Sequence, residues 1–104
     1  MTARPQQTEA QFQRAVLDLA RLTGWRSYHT RYSLGSNSGY PDLTLWHPRR
    51  GVILLAELKR DAGRLSERQR ETLNELECVT EWGGAHLWRP SDWPDIERAL
   101  RGEP

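Results

Sequence analysis

Two carboxylates and one ammonium stand out in this sequence. Asp42 follows Pro41 at the head of Leu43-Thr44-Leu45-Trp46-His47, and Glu57 and Lys59 close the apolar run that starts at Val52. Residues two apart on a strand point to the same face, so Glu57 and Lys59 are neighbours on one side of a sheet. With residues 48–51 as a four-residue turn, His47 lies opposite Val52, Trp46 opposite Ile53, Thr44 opposite Leu55 and Asp42 opposite Glu57. Cross-strand Cβ atoms sit about 4.5–5.5 Å apart, and like charges so placed repel. Lys59 offsets part of that repulsion, and a divalent cation between the carboxylates would offset the rest. Mg2+ needs only one or two carboxylates, completes its octahedron with water and takes phosphate oxygens. That is the equipment for hydrolysing a phosphodiester.

Lys59 is notable for a second reason. Of the 15 basic residues, 14 are Arg and Lys59 is the single Lys. An ammonium is a compact donor, whereas a guanidinium is a broad, permanently charged fork. A lone Lys in an Arg-rich chain is expected where Arg would not serve. The plain alternative for the trio is a surface hairpin with an ordinary Glu–Lys pair.

The elements that position these residues can be read from capping and periodicity. Residues 1–7 read as a flexible lead, and 8–104 as a single domain. Thr8-Glu9-Ala10-Gln11 fits a capping box, and Phe12, Val16, Leu19 and Ala20 recur at helical spacing up to Gly24. Trp25 to Thr30 reads as a strand, and residues 31–40, rich in Gly, Ser and Asn, as a loop. Asp42 to His47 and Val52 to Lys59 form the hairpin, and the second of these is apolar enough to be central in a sheet. Ser66-Glu67-Arg68-Gln69 is another capping box, opening a helix to about Val79 with Leu73, Leu76 and Val79 or Thr80 inward. Ala85 to Arg89 is a short strand after Gly83-Gly84. Pro90 to Pro94 opens a last helix with Ile96, Ala99 and Leu100 inward. The fold class is therefore α/β, in the order α-β-β-β-α-β-α, with a mixed central sheet flanked by helices.

Bulk composition narrows the field. At 104 residues and 37% hydrophobic content, the chain can build one modest core. A net charge of +1 neither demands nor excludes a nucleic-acid partner. One cysteine, Cys78, rules out an intrachain disulfide and is expected at a buried apolar helix position. The longest apolar run is far too short to cross a bilayer, and the N-terminus lacks a signal-peptide core. A cytoplasmic protein without membrane contact is expected. His29, His47 and His86 lack zinc-like clustering and are read as structural or surface residues. His29 is the best exception, because its strand leads to the loop before Asp42. There is no Gly-rich nucleotide fingerprint, so no nucleotide cofactor is expected. The five Trp residues at 25, 46, 82, 88 and 93 are read as core rather than as base-stacking platforms.

Three blocks in order resemble the VRR-NUC family of the PD-(D/E)xK nuclease superfamily: Gly39-Tyr40-Pro41-Asp42-Leu43, Glu57-Leu58-Lys59 and Gly63-Arg64-Leu65-Ser66-Glu67-Arg68-Gln69. The resemblance runs from about Thr8 to Trp88, and its compact members are typical of phages. It implies a restriction-endonuclease-like core and Mg2+- or Mn2+-dependent hydrolysis of DNA. It places the metal on Asp42, Glu57 and the backbone carbonyl of Leu58, with Lys59 as the catalytic cation. It adds Glu9, acting on the metal directly or through water, and Gln69. Read without the resemblance, Glu9 is a helix-dipole residue and Gln69 a capping residue.

Arg31, Arg60, Arg64 and Arg68 flank the trio in sequence and are candidates to hold DNA phosphates. Ser36 and Ser38, in the loop before Asp42, are candidates to order on DNA. One active site per chain and the likeness to junction-resolving enzymes suggest a homodimer acting on branched or four-way (Holliday) junction DNA. Trp88, Trp93, Ile96 and Leu100 would supply the apolar pairing surface. The competing reading is a catalytically inactive nuclease-fold module for DNA binding or assembly.

Overall fold

A computed structural model describes residues 7–31, 39–79 and 83–103. Its elements follow the expected order: α1 (Glu9–Leu22), β1 (Arg26–His29), β2 (Leu43–His47), β3 (Val52–Leu58), α2 (Glu67–Val79), β4 (Gly83–Trp88), a 3-10 turn (Pro90–Asp92) and α3 (Trp93–Arg101). The four strands form one sheet in the order β1-β2-β3-β4. β1, β2 and β3 are antiparallel neighbours, and β4 joins β3 in parallel. No helix among the described residues is long and apolar enough to cross a membrane.

The hairpin register is the expected one, with His47 opposite Val52, Trp46 opposite Ile53 and Thr44 opposite Leu55. Leu43, Leu45, Leu54, Ala56 and Leu58 pack with Phe12, Val16, Leu19 and Ala20 of α1 and with Ile96 and Leu100 of α3. Alternation sends Leu55 and Glu57 to the opposite face, where α2 lies against β4 and buries Leu73. Five successive buried residues, Leu54 to Leu58, mark β3 as covered on both faces, as its apolar sequence requires.

Several boundaries and burials differ from the sequence reading. Trp25 is not in β1. It turns into the core, and its Nε1 donates to the Leu100 carbonyl at 2.8 Å. β4 starts at Gly83 instead of Ala85, because pairing with Ile53 and Leu54 uses only the main chain of the two glycines. Cys78 is exposed, and Val79 is 64% exposed. α2 rests on an edge strand through a narrow stripe, so only Leu73 of that helix is fully buried. Trp46 is 39% exposed, on the part of the sheet that α2 does not reach, whereas Trp25 and Trp88 are core residues. Trp82 and Thr80 lie outside the described residues, as does most of the 1–7 lead. Trp88, Ile96 and Leu100 are buried within the chain and Trp93 is partly buried. The apolar pairing surface expected of the C-terminal segment is therefore absent, because α3 spends that face on α1 and the sheet.

Gly24 makes the turn from α1 into β1. Its φ is +96°, and a Cβ there would sit 2.7 Å from His47 Nε2. That nitrogen is 2.9 Å from the Thr23 carbonyl, and the ring packs edge-on against Trp25. Gly24→Ala therefore combines a left-handed backbone with a side-chain clash. We expect it to cost about 2 kcal/mol, a drop of roughly 8–16 °C in Tm for a domain of this size, read by thermal melting.

Candidate active site

Asp42 is fixed from three sides. Its carbonyl accepts from the Thr30 amide at 2.8 Å, the preceding Pro41 carbonyl accepts from the Thr30 hydroxyl at 2.8 Å, and its own Oδ2 accepts from the Leu58 amide at 2.9 Å. The last bond puts a side chain where the β2–β3 ladder would otherwise continue. Gly39 sets how the chain arrives there, since a Cβ would lie 2.7 Å from Thr72 Oγ1 and 2.9 Å from the Arg68 carbonyl of α2.

Glu57 sits at the centre. It is 2% exposed. Its Oε1 accepts from Gln69 Nε2 at 3.0 Å, while Oε2 is buried with no hydrogen-bond partner. Burial, and then the charge and proton-sharing contact of Asp42, push its carboxyl up to about 8; Lys59 pulls it down and Glu9 adds a smaller upward push. Both neighbours at that edge are acceptors, so Asp42 and Glu57 can bond only through a shared proton or a shared cation. The unpartnered Oε2 beside a second carboxylate is the donor set a hard divalent cation fits.

Gln69 serves both elements with one amide. Its Oε1 accepts from the Ser66 amide at 2.8 Å, closing the cap of α2, and its NH2 faces Glu57. The reverse orientation would lose both bonds, so the network assigns the amide. Sequence reading gave Gln69 a capping role and, through the resemblance, a site role, and the geometry accommodates both.

Asp42, Glu57, Leu58, Lys59, Gln69 and Glu9 all line one cavity of about 470 Å3. Glu9 reaches it from the first turn of α1, although the residue as a whole is exposed. His29 and Gln13 also line it. Gln13 was not anticipated. The available signal was its i+4 spacing from Glu9 on one helix face. Among the described residues, no three His, Cys, Asp or Glu side chains converge as a metal-holding group, so the carboxylate donors at the core of the cavity are the pair Asp42 and Glu57.

The arginines fall elsewhere. Arg31, Arg60, Arg64 and Arg68 are exposed, and none lines this cavity. Ser36 and Ser38 lie outside the described residues. A larger cavity, about 690 Å3, opens at the far end of the sheet around Gly24, Trp25 and His47. It holds no carboxylate. His47 there is structural, as expected, and so is the half-buried His86, stacked on Trp88 and held below its usual pKa by burial.

A four-stranded mixed sheet with helices on both faces, and a buried Glu57 with the half-buried Asp42 and Lys59 at one end, is an architecture that fits a nuclease domain. The family model of the VRR-NUC domain matches residues 4–79, and the chain belongs to that family. The match stops before β4, earlier than the resemblance read from the sequence blocks. A solved structure described as a VRR_NUC domain protein superposes with a TM-score of 0.64 at 18% identity, covering 93% of this chain and 91% of that one; at that identity the likeness is one of fold. A Fanconi-associated nuclease 1 homolog from Caenorhabditis briggsae is 49% identical over 35 residues. That stretch is 34% of this chain and 4% of the relative.

Proposed function

We propose that this chain is a divalent-metal-dependent DNA endonuclease whose site is Asp42, Glu57 and Lys59. The observation that carries the reading is the buried, unpartnered Oε2 of Glu57 beside Asp42, an arrangement that is costly unless a cation uses it. Asp42, Glu57 and the Leu58 carbonyl would hold Mg2+ or Mn2+, with Glu9 acting directly or through water. A cation bound there supplies a Lewis acid that polarises a phosphoryl oxygen and makes water a nucleophile near neutral pH. Lys59 orients the attacking water and donates to the phosphoryl oxygen on which negative charge develops. Gln69 occupies Oε1 of Glu57 and so leaves Oε2 as the free donor.

Purified protein incubated with plasmid and linear DNA, with and without Mg2+ or Mn2+, tests this. Metal-dependent nicking or cutting supports it, while tight DNA binding without turnover would favour the inactive module. The finer form of the reading is a homodimer acting on four-way junction DNA. With the C-terminal apolar face buried, the twofold contact would fall to β1, the edge strand of the sheet among the described residues, whose four residues are all exposed. Light scattering, and cleavage of junctions against linear duplex, decide this form; a monomer cutting both equally overturns it.

Gln69 offers a sharper check of the site. Gln69→Glu keeps an acceptor for the Ser66 amide but turns the donor facing Glu57 into a second carboxylate. We expect cleavage to fall at least about tenfold, one interaction's worth of about 1.4 kcal/mol, with the helix content by circular dichroism unchanged. Unimpaired cleavage would show that Gln69 matters only as a cap.

A further inference from the structure

A second cavity adjoins the site on the β4 side. It has a volume of about 500 Å3 and is lined by Gly63, Arg64, Leu65, Arg70, Leu87 and Arg89. Three guanidinium-bearing residues line it and no carboxylate does. Among the described residues no ion pair engages Arg64, Arg70 or Arg89. Its place is fixed by the strand register. Leu87 is the β4 partner of Glu57, and the Lys59 amide donates to the Trp88 carbonyl at 3.1 Å. Arg70 follows Gln69, which touches Glu57. The Leu87 wall of the cavity therefore lies one strand spacing, roughly 4.8 Å, from Glu57, and a Cβ on Gly63 would sit 3.5 Å from Lys59 Cδ.

Its wall is built rather than incidental. Arg89 Nη1 donates to the carbonyls of Arg60, Asp61 and Gly63 at 2.7, 3.2 and 2.6 Å. Asp61 Oδ1 accepts from the Ser91 amide at 3.0 Å, and the hydrogen bonds from the Ser91 side chain and amide, with the Arg89 charge, hold its carboxyl below the usual range. The loop after Lys59 is thus stapled to the end of β4, and Arg64 follows directly on the stapled Gly63. Arg64 and Arg70 remain exposed. Arg89 also meets the Asp61 carboxylate electrostatically, so the positive charge left to receive an anion is that of Arg64 and Arg70.

We propose that Arg64, Arg70 and Arg89 form a subsite for a phosphodiester of the DNA strand being cut, one or two nucleotides from the scissile phosphate. This rests on the nuclease reading above. Successive phosphates of one strand advance about 3.4 Å along a duplex axis, so a cavity whose wall is the neighbouring strand of Glu57 is within reach of a near neighbour of the phosphate under attack. Arg64 and Arg70 hold the phosphate oxygens, and Arg89 is a positioning residue that fixes the wall and adds positive charge. β4 and Arg89 lie beyond the residues the family model matches.

The test is the salt dependence of DNA binding, measured by fluorescence anisotropy on a labelled duplex in EDTA, so that no cutting occurs. Each phosphate contact contributes about −0.9 to the slope of log K against log salt. Arg64→Ala with Arg70→Ala should make that slope shallower by about 1 and weaken binding at least about tenfold at 100 mM salt. Arg101→Ala removes an equal charge from α3, where Arg101 pairs with Glu97, and should leave the slope as it is. Arg89→Lys keeps the charge but loses the staple, so it should weaken binding with a smaller change of slope. An unchanged slope in the double variant of a protein that binds and cuts DNA overturns the subsite and leaves the nuclease reading standing. A wild-type chain that binds no DNA overturns both.

Discussion

Asp42→Ala, Glu57→Ala and Lys59→Ala are each expected to lower Mg2+-dependent DNA cleavage by about a hundredfold to a thousandfold. Removing a group that stabilises transition-state charge in a preorganised site costs about 3–4 kcal/mol, and each 1.4 kcal/mol is tenfold. Asp42→Ala also strips the Leu58 amide of its acceptor, so a misfolded variant is a real alternative outcome. Asp42→Asn keeps an acceptor for that hydrogen bond while removing one of the two carboxylate charges that would hold a cation, and it should be nearly as inactive. Lys59→Arg should be impaired as well, because a planar fork cannot take the position of a compact ammonium on a half-buried stem. Circular dichroism and plasmid cleavage, run side by side, read these results. Full activity in Asp42→Asn with an intact fold would remove Asp42 from the site.

Glu57→Gln is expected to make the metal-free protein more stable above neutral pH and to flatten its pH dependence. The sign follows from the carboxyl being raised to about 8 from an ordinary 4.5. Between those values the folded chain holds a proton that the unfolded chain has released, so metal-free stability falls as pH rises through the window and is lowest above it. One pKa unit is worth about 1.4 kcal/mol, so the loss amounts to a few kcal/mol, on the order of 10 °C or more in Tm. His86, held below its usual pKa by burial, acts in the other direction as pH falls below about 6.5. The difference between wild type and Glu57→Gln, melted from pH 5 to pH 9 in EDTA, isolates Glu57. Saturating Mn2+ should raise the wild-type midpoint by mass action and do so more at pH 8.5 than at pH 6, because the ion must displace the shared proton. A midpoint indifferent to both pH and Mn2+ would mean that the two carboxylates do not converge.

The sequence by itself determined the elements and the hairpin. Capping boxes at Thr8 and Ser66 name residues three apart, so they are local and readable, and both are formed. The register of β2 on β3 was also legible. A four-residue turn leaves one alternation that buries Leu43, Leu45, Leu54 and Ala56 together, and a slip by one residue would expose that set. That register brings Asp42 to the strand end opposite Glu57, so the carboxylate pair could be inferred without coordinates. The mixed sheet was expected, but which strand β4 joins was not legible, because that depends on a crossover through α2 whose partner strand no local signal names. For the same reason the exposure of Cys78 and Val79 was missed: periodicity says which side of α2 is apolar, but only the tertiary arrangement says how much sheet lies beneath it. Ile96 and Leu100 were legible as the inward face of the last helix and Trp88 as core, and only the packing of α3 on α1 showed that this face is not left over as a pairing surface. The arginine cavity belongs to the tertiary structure entirely. Arg64, Arg70 and Arg89 come from a loop, a helix and a strand end, and only the β3–β4 ladder and the carbonyl staple of Arg89 bring them beside Glu57.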